Sequence, residues 1–204
     1  MRCGSKGRIG IVLWLAAIAF TARAKSRESD VALRPVGIWS PELLAWHECG
    51  TKLLPQARPD QVKAALAALS LYSVDQSFDF LRFATAVMAA ESGFNSQAVS
   101  PTGATGLFQL TNIGAREAAL QCSLPLSWGV NESVSSLLDS RKNVKYGTCL
   151  LRYYLDQVKG NHTLALILYN GGYQQLTRLA VTGTLSKETG EYILRVHSYL
   201  GRCQ

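Results

Sequence analysis

The stretch FDFLRFATAVMAAESGFNSQAVSPTGATGLFQL, residues 78–110, joins an almost wholly apolar helix to a loop of small, uncharged residues. From residue 78 to residue 90, apolar side chains fall on nearly every face of the predicted helix. A helix that is apolar all round is expected to lie buried at the centre of its domain. A glutamate closes this helix, the loop covers residues 92–105, and a second helical stretch is predicted over residues 107–120.

Glu91 continues an apolar stripe of the central helix instead of facing water. Leu81, Ala84, Met88 and Glu91 follow the spacing i, i+3, i+7 and i+10, which places them on one face. No acidic or basic residue lies between Arg82 and Glu91, so no local ion pair compensates the carboxylate. Burial raises the pKa of a carboxyl group, and one that stays protonated near neutral pH can act as a general acid. The alternative is a helix-end glutamate that has turned into solvent.

The loop after Glu91 combines conformational freedom with neutral hydrogen-bonding groups. Gly93, Gly103 and Gly106 permit sharp turns and a close approach of the backbone to a ligand. Six side chains add hydrogen-bonding groups without charge: Ser92, Asn95, Ser96, Gln97, Ser100 and Thr102. Such a loop beside one acid suits a polyhydroxylated, amide-bearing substrate such as an N-acetylated glycan. It suits a phosphate group or a metal ion poorly.

The rest of the chain also predicts helices. The spacing of apolar residues, with Pro and Gly at helix ends, indicates them at residues 41–50, 59–71, 134–158, 163–169 and 187–200. Gly147 lies inside the longest of these and costs about 1 kcal/mol relative to alanine, which indicates a close helix contact there. Convincing period-2 alternation is absent. The predicted fold class is therefore all-α, with little or no sheet.

The first 24 residues have the pattern of a secretory signal peptide. A basic segment precedes the apolar run 9–20, and Ala22-Arg23-Ala24 offers an A-x-A cleavage site. The alternative is an uncleaved membrane anchor, although this run is short for a span, which needs about 20 apolar residues. No later segment is long and apolar enough to predict a transmembrane helix.

Export fits the cysteines and the charge. Cys49, Cys122, Cys149 and Cys203 remain after the signal, and an even number in an exported chain indicates two disulfides, with three pairings open. Buried free thiols are the alternative. Four positive and no negative residues lie before residue 25, so the net charge of +7 falls to +3 in the mature chain. Without a dense basic cluster, CxxC motif or histidines at ligand spacing, neither nucleic acid nor metal is expected.

Three sequence blocks resemble the soluble lytic transglycosylase (SLT) domain of the lysozyme-like superfamily. ESGFNSQAVSPTGATGLFQL at 91–110 is similar to the family's Glu-Ser pair at a helix end followed by A-x-S-x-x-G-A-x-G-L-M-Q. ALILYNGG at 165–172 resembles A-x-x-x-Y-N-A/G-G, and ETGEYI at 188–193 resembles E-T-x-x-Y-V. Two departures are modest. Phe108 stands where methionine is usual, which would alter the floor of the groove, and a proline usual after the glutamine is missing.

The resemblance implies a compact helical domain whose groove binds peptidoglycan and cleaves the β-1,4 bond between N-acetylmuramic acid and N-acetylglucosamine. It implies Glu91 as the single general acid and base, yielding a 1,6-anhydro end without a cofactor or metal. The implied substrate-binding residues are Ser92, Ser100, Gln109, Tyr169, Asn170 and Glu188, with Tyr169 hydrogen-bonding near Glu91. The implied structural residues are Gly103, Gly106, Leu107, Gly171, Thr189 and Tyr192. Glu191 and Arg195, at i and i+4, are expected to form an exposed pair of little consequence.

Two other functions stay open at this point: a muramidase that lets water attack, and a non-catalytic peptidoglycan-binding component of a secretion apparatus. The expected organisation is a signal peptide over 1–24, an N-terminal extension with one or two helices over 25–69, and the catalytic domain over 70–204. We expect an exported monomer in the periplasm or cell envelope, without a membrane span after signal cleavage. Its partners are glycan strands of peptidoglycan, with an envelope-spanning secretion or conjugation machine as a further candidate.

Overall fold

The computed structural model describes residues 41–124 and 134–202, which belong to one compact unit within residues 40–204. These residues form eight helices and no strand, which confirms the all-α prediction for the described chain. The helices are α1 (Pro41–Leu53), α2 (Pro59–Tyr72), α3 (Phe78–Ser92), α4 (Asn112–Gln121), α5 (Val134–Leu137), α6 (Ser140–Gln157), α7 (His162–Thr182) and α8 (Lys187–Gly201). The predicted boundary at residue 70 falls inside α2.

α3 is the central helix that its composition predicts. Its buried residues run from Phe80 to Ala89 with the exception of Arg82, and the helix packs against α1, α2 and α8. Trp46 of α1 is 1% exposed, and its Nε1 donates a hydrogen bond of 2.7 Å to Thr85 Oγ1. A buried indole N–H without an acceptor costs about 1–3 kcal/mol, so this bond fixes where α1 docks on α3.

α6 forms a second layer that packs against α2, α4 and α7. Gly147 lies where this helix meets the loop that follows α3. A Cβ atom at Gly147 would lie 2.3 Å from Cγ of Phe108, far inside van der Waals contact. The close contact predicted at Gly147 is therefore present, although its partner is a loop residue and not another helix.

Three predicted helix boundaries are wrong. Two differ because a side chain caps a new helix, and the third because the helix continues through a kink. The single helix predicted over 134–158 breaks before α6, where the Asp139 side chain caps the new helix by accepting from two backbone N–H groups. The helix predicted from residue 107 begins at Asn112, because Thr111 is its N-cap. The helix predicted to end at residue 169 continues as α7, with a kink at Gly172 (φ 64°, ψ −171°).

The features predicted from export lie only partly within the described residues. The predicted signal peptide and Cys203 lie outside them. A disulfide joins Cys122, just after α4, to Cys149 of α6, and Cys49 is also disulfide-bonded. Of the helices described, none has the length and apolarity that a membrane crossing requires.

Candidate active site

Glu91 lies in the last turn of α3, and the chain turns sharply just after it. Gly93 takes a left-handed conformation (φ 59°), and its N–H donates to the carbonyl of Ala89 at 3.2 Å, which ends the helix. The next residue, Phe94, is buried and also has a positive φ (66°). Two successive left-handed residues therefore turn the backbone away from the helix axis directly after the carboxylate.

Burial raises the pKa of Glu91 from 4.5 to about 7. The Tyr192 hydroxyl and the positive charge of Arg195 act in the opposite direction and limit this rise. The Tyr192 hydroxyl is buried and acts on this carboxyl, but among the described residues it makes no hydrogen bond of normal geometry. Glu91 is thus largely enclosed, and its carboxyl is protonated in a large share of molecules near neutral pH. The fully solvated glutamate of the alternative interpretation is not what the structure contains.

The loop between α3 and α4 is a folded scaffold held by backbone hydrogen bonds. Two isolated antiparallel bridges pair Thr105 with Val99 and with Leu110. The Gly106 N–H donates to the carbonyl of Ala98 at 2.8 Å. These bonds close the loop on itself, so its position beside Glu91 does not depend on a ligand.

Asn143 of α6 holds this loop against the domain. Its Nδ2 donates to the carbonyls of Thr105 at 2.8 Å and Leu137 at 2.9 Å, and its Oδ1 accepts from the Phe108 N–H at 2.8 Å. The amide is buried at 1% exposure, and both its nitrogen and its oxygen are hydrogen-bonded. Gly106 makes room for it, because a Cβ there would lie 2.4 Å from Nδ2. Asn143, together with Gly147 and Leu151, also fits the long helix between the first two blocks of the SLT resemblance, which is a weak sequence signal for this role.

Three side chains predicted to bind substrate make hydrogen bonds within the loop region. The Ser92 hydroxyl lies 2.9 Å from the carbonyl oxygen of Leu107. The Gln109 amide nitrogen donates to two loop carbonyls at 2.9 and 3.2 Å, and the Ser100 hydroxyl accepts from the Ala104 N–H at 2.9 Å. The amide oxygen of Gln109 and the hydroxyl oxygen of Ser92 still have capacity to accept a hydrogen bond.

Tyr169 of α7 links the loop to Glu91. Its hydroxyl donates to the carbonyl of Phe108 at 2.8 Å. Burial raises the pKa of Tyr169 well above its usual value, and the negative charge of Glu91 raises it further, so a neutral phenol stands near the carboxyl. The side chain of Phe108 is fully buried against Gly147. The expectation that Phe108 alters the floor of a groove is therefore wrong, because only its backbone faces this side.

The second and third sequence blocks meet beside Glu91, where α7 kinks against α8. A Cβ at Gly171 would lie 3.1 Å from the Thr189 hydroxyl, so the glycine permits a close approach of the two helices. Ser186 caps α8 by accepting from the Thr189 N–H at 3.2 Å. One turn later in α8, Tyr192 is 1% exposed and faces Glu91.

Other predicted residues of these blocks lie apart from the carboxyl. Asn170 is partly exposed just before the kink of α7, and Glu188 is exposed in the first turn of α8. In the described part of the chain, neither makes a hydrogen bond to Glu91. The predicted ion pair between Glu191 and Arg195 is wrong, since the Glu191 carboxylate pairs with the Lys187 ammonium group at 3.8 Å. Arg195 instead acts on Glu91 through its charge, a role that its spacing from Glu191 concealed.

The site therefore offers one proton-donating carboxyl among neutral hydrogen-bonding groups, with the positive charge of Arg195 acting on it. No second carboxylate of the described residues contributes to the pKa of Glu91. The described ranges also contain no group of three or more His, Cys, Asp or Glu residues that could hold a metal ion. Such an arrangement can transfer a proton to and from a neutral, hydroxyl-rich ligand.

Residues 75–188, more than half of the chain, match the family model of the transglycosylase SLT domain. A segment of 90 residues is 33% identical to the soluble lytic murein transglycosylase of Escherichia coli and 32% identical to that of Salmonella typhimurium. It makes up 44% of this chain and 13% of each relative, so the chain matches only a small part of the length of these curated relatives.

Two solved structures are similar in fold. The lytic transglycosylase Slt of Pseudomonas aeruginosa, crystallised as an inactive glutamate-to-glutamine mutant, superposes with a TM-score of 0.53 at 26% identity, over 68% of this chain and 23% of that one. The 70 kDa soluble lytic transglycosylase of Escherichia coli gives a TM-score of 0.58 at 21% identity, over 79% of this chain and 29% of that one. Glu91, the loop after it and Tyr169 all lie within the matched residues, and the chain belongs to the transglycosylase SLT family.

Proposed function

We propose that this protein is a lytic transglycosylase that cleaves the β-1,4 bond between N-acetylmuramic acid and N-acetylglucosamine in peptidoglycan. The observation that carries the proposal is the Glu91 carboxyl, whose pKa burial raises to about 7 beside a loop of neutral hydrogen-bonding groups. A general acid works best when its pKa lies near the working pH, because it is then both protonated and able to donate.

Glu91 first acts as the acid. Its proton passes to the glycosidic oxygen as the bond between that oxygen and C1 of the muramic acid breaks, which leaves Glu91 ionised. Tyr192 and Arg195 both favour this ionised form, since each lowers the pKa of Glu91. They therefore stabilise the carboxylate that the first step creates.

Glu91 then acts as the base. It removes the proton from the 6-hydroxyl of the same muramic acid, whose oxygen forms a bond to C1 and closes a 1,6-anhydro ring. The proton returns to Glu91, no water is consumed, and the internal attack needs no second reactant to be bound. The Pseudomonas relative supports an essential glutamate, because a change of one glutamate to glutamine gives an inactive protein there.

The remaining residues position the glycan in this proposal. The Gln109 amide oxygen and the hydroxyls of Ser92 and Ser100 would accept from sugar hydroxyl or N-acetyl groups, because the loop fixes their orientation. Asn170 would bind the strand near the kink of α7. Glu188, exposed on α8, would contact it farther from the cleaved bond.

Glycan strands of peptidoglycan are thus the proposed substrate, and we propose an exported monomer of the periplasm or cell envelope as the acting form. An envelope-spanning secretion or conjugation machine is a further proposed partner. Export rests on the basic and apolar segments within residues 1–24, which fit a signal peptide, and on the disulfide between Cys122 and Cys149.

Digestion of purified peptidoglycan, followed by mass spectrometry of the released muropeptides, tests the proposal. We expect products that end in 1,6-anhydro-N-acetylmuramic acid. Products with reducing ends would replace the proposal with the hydrolytic muramidase. A complete lack of cleavage, with binding to the strands retained, would instead favour a non-catalytic peptidoglycan-binding component.

The interactions around Glu91 predict a shift in the pH dependence of activity. Tyr192→Phe and Arg195→Gln each remove an interaction that lowers the pKa of Glu91, so that pKa should rise. The protonated form then persists to higher pH, and the alkaline limb of the kcat/KM profile should move upward. Lys187→Gln is the matched control, because it removes a charge from the same helix without touching Glu91. If the alkaline limb stays in place or moves to lower pH in both variants, Tyr192 and Arg195 do not lower the pKa of Glu91.

A further inference from the structure

Three tyrosines beside Tyr169 have no part in the proposed reaction. We call Tyr153, Tyr154 and Tyr173 the tyrosine cluster; the first two lie on α6 and the third follows the kink of α7. The ring centre of Tyr154 lies 5.6 Å from that of Tyr153 and 6.5 Å from that of Tyr173. Three rings from two helices thus pack together beneath one small surface.

A carboxylate is fixed within this surface. The Tyr154 hydroxyl donates to Oε2 of Glu117 on α4 at 2.8 Å. Tyr154 itself is 4% exposed, whereas Glu117 is partly open to solvent. The second carboxylate oxygen of Glu117 has capacity for an external donor, and a hydrogen bond to an ionised acceptor is about twice as strong as a neutral one.

The kink of α7 places one ring of the cluster at the surface. Gly172 has a backbone conformation that L side chains rarely adopt, and no atom would lie within 4 Å of a Cβ there. Glycine is therefore needed at position 172 for the left-handed backbone conformation and not to make room for a neighbouring atom. Directly after it, Tyr173 remains 51% exposed.

The cluster is continuous with the catalytic carboxyl through Tyr169. The rings of Tyr154 and Tyr169 meet edge to face, with centres 6.5 Å apart. The charge of Glu91 acts on Tyr169, whereas the charge of Glu117 acts on Tyr154 and Tyr173. Glu91 therefore lies near Tyr169 at one end of a row of tyrosine rings, and the Glu117 carboxylate binds Tyr154, the next ring along.

An exposed aromatic face beside a carboxylate matches the chemistry of a pyranose ring. The C–H groups on one face of the sugar are weakly positive and favour the negative face of an aromatic ring, and sugar hydroxyl or amide N–H groups can donate to the carboxylate. We propose that Tyr173 and Glu117, supported by Tyr153 and Tyr154, form a secondary subsite for an N-acetylhexosamine of the bound strand, away from the cleaved bond. This subsite rests on the proposed glycan substrate.

Steady-state kinetics on glycan strands freed of stem peptides by an amidase test the subsite. In Tyr173→Ala we expect KM to rise about five- to tenfold with kcat within about twofold, because the lost contact lies away from the reacting atoms. Tyr173→Phe keeps the ring and should stay within about twofold of the parent KM. Glu117→Gln keeps an acceptor but loses the charge, and should raise KM by about threefold. Val181→Ala is the control, since Val181 is 78% exposed on the same helix.

The outcomes separate the subsite from the reaction. Cleavage by the wild type with an unchanged KM in Tyr173→Ala overturns the subsite and leaves the transglycosylase proposal intact. A fall in kcat equal to the rise in KM, or a Tyr173→Phe variant as weak as Tyr173→Ala, also overturns it, because the ring would then act through the fold. No cleavage by the wild type overturns the proposed function and the subsite that rests on it.

Discussion

Glu91→Gln should lower kcat on peptidoglycan by roughly 10³- to 10⁴-fold, because an amide can neither donate the proton to the leaving oxygen nor take it back from the 6-hydroxyl. Glu91→Asp is the matched variant, since it keeps a carboxyl and withdraws it by one methylene. We expect it to retain some activity and to fall roughly 10²-fold, as reacting groups lose alignment. Single-turnover release of anhydro ends from purified peptidoglycan measures both. A Glu91→Gln digest that matches the wild type would remove Glu91 from the reaction.

The same substitution should not weaken the fold. The folded pKa of Glu91, about 7, lies above its unfolded value of 4.5, so the folded state binds more protons between these values. The free energy of unfolding of the wild type therefore falls as pH rises through this window, by roughly 3 kcal/mol at most. Solvent that reaches the Glu91 side chain makes this loss smaller. Glu91→Gln lacks this loss and should unfold at higher urea than the wild type at about pH 8, with little difference at about pH 4. Lower stability at both pH values would mean that misfolding explains its inactivity.

Helix composition predicts the fold class and the central helix, and the helix-end glutamate predicts the site. Because nearly every side of the helix over residues 78–90 is apolar, its composition predicts that the helix is buried. The spacing of Glu91 from Met88 then places the acid on that buried surface. Helix ends are harder to predict. The break before α6 depends on one capping side chain, Asp139, and such residues are equally common in ordinary loops.

Contacts between distant segments cannot be read from spacing at all. Asn143 reaches the loop across 38 residues, and Arg195 acts on Glu91 across more than 100. The spacing of residues around Asn143 and Arg195 does not show which distant group either side chain contacts. Phe108 illustrates the reverse case: its sequence position suggested a groove, yet the glycine opposite it at position 147 creates the space that buries the ring.

The loop itself depends on one glycine more than on any of its polar side chains. Gly106→Ala should destabilise the protein by about 2 to 5 kcal/mol. A non-glycine residue at φ 76° costs about 1–2 kcal/mol, and forcing an atom into a filled space costs about 1–3 more. The new Cβ would displace the Asn143 amide, whose three hydrogen bonds hold Thr105, Leu137 and Phe108.

Gly103→Ala separates the two causes, because Gly103 has a similar φ of 84° but no atom within 4 Å of a Cβ. It should lose only the conformational part, about 1–2 kcal/mol. Urea unfolding of both variants measures the difference, and equal losses would show that space around Asn143 does not matter. In the Gly106→Ala background, Asn143→Ala should cost less than in the wild type, since the bonds it removes are already broken. Activity should fall in Gly106→Ala as well. The Phe108 carbonyl, which accepts a hydrogen bond from the Tyr169 hydroxyl, should move with the loop.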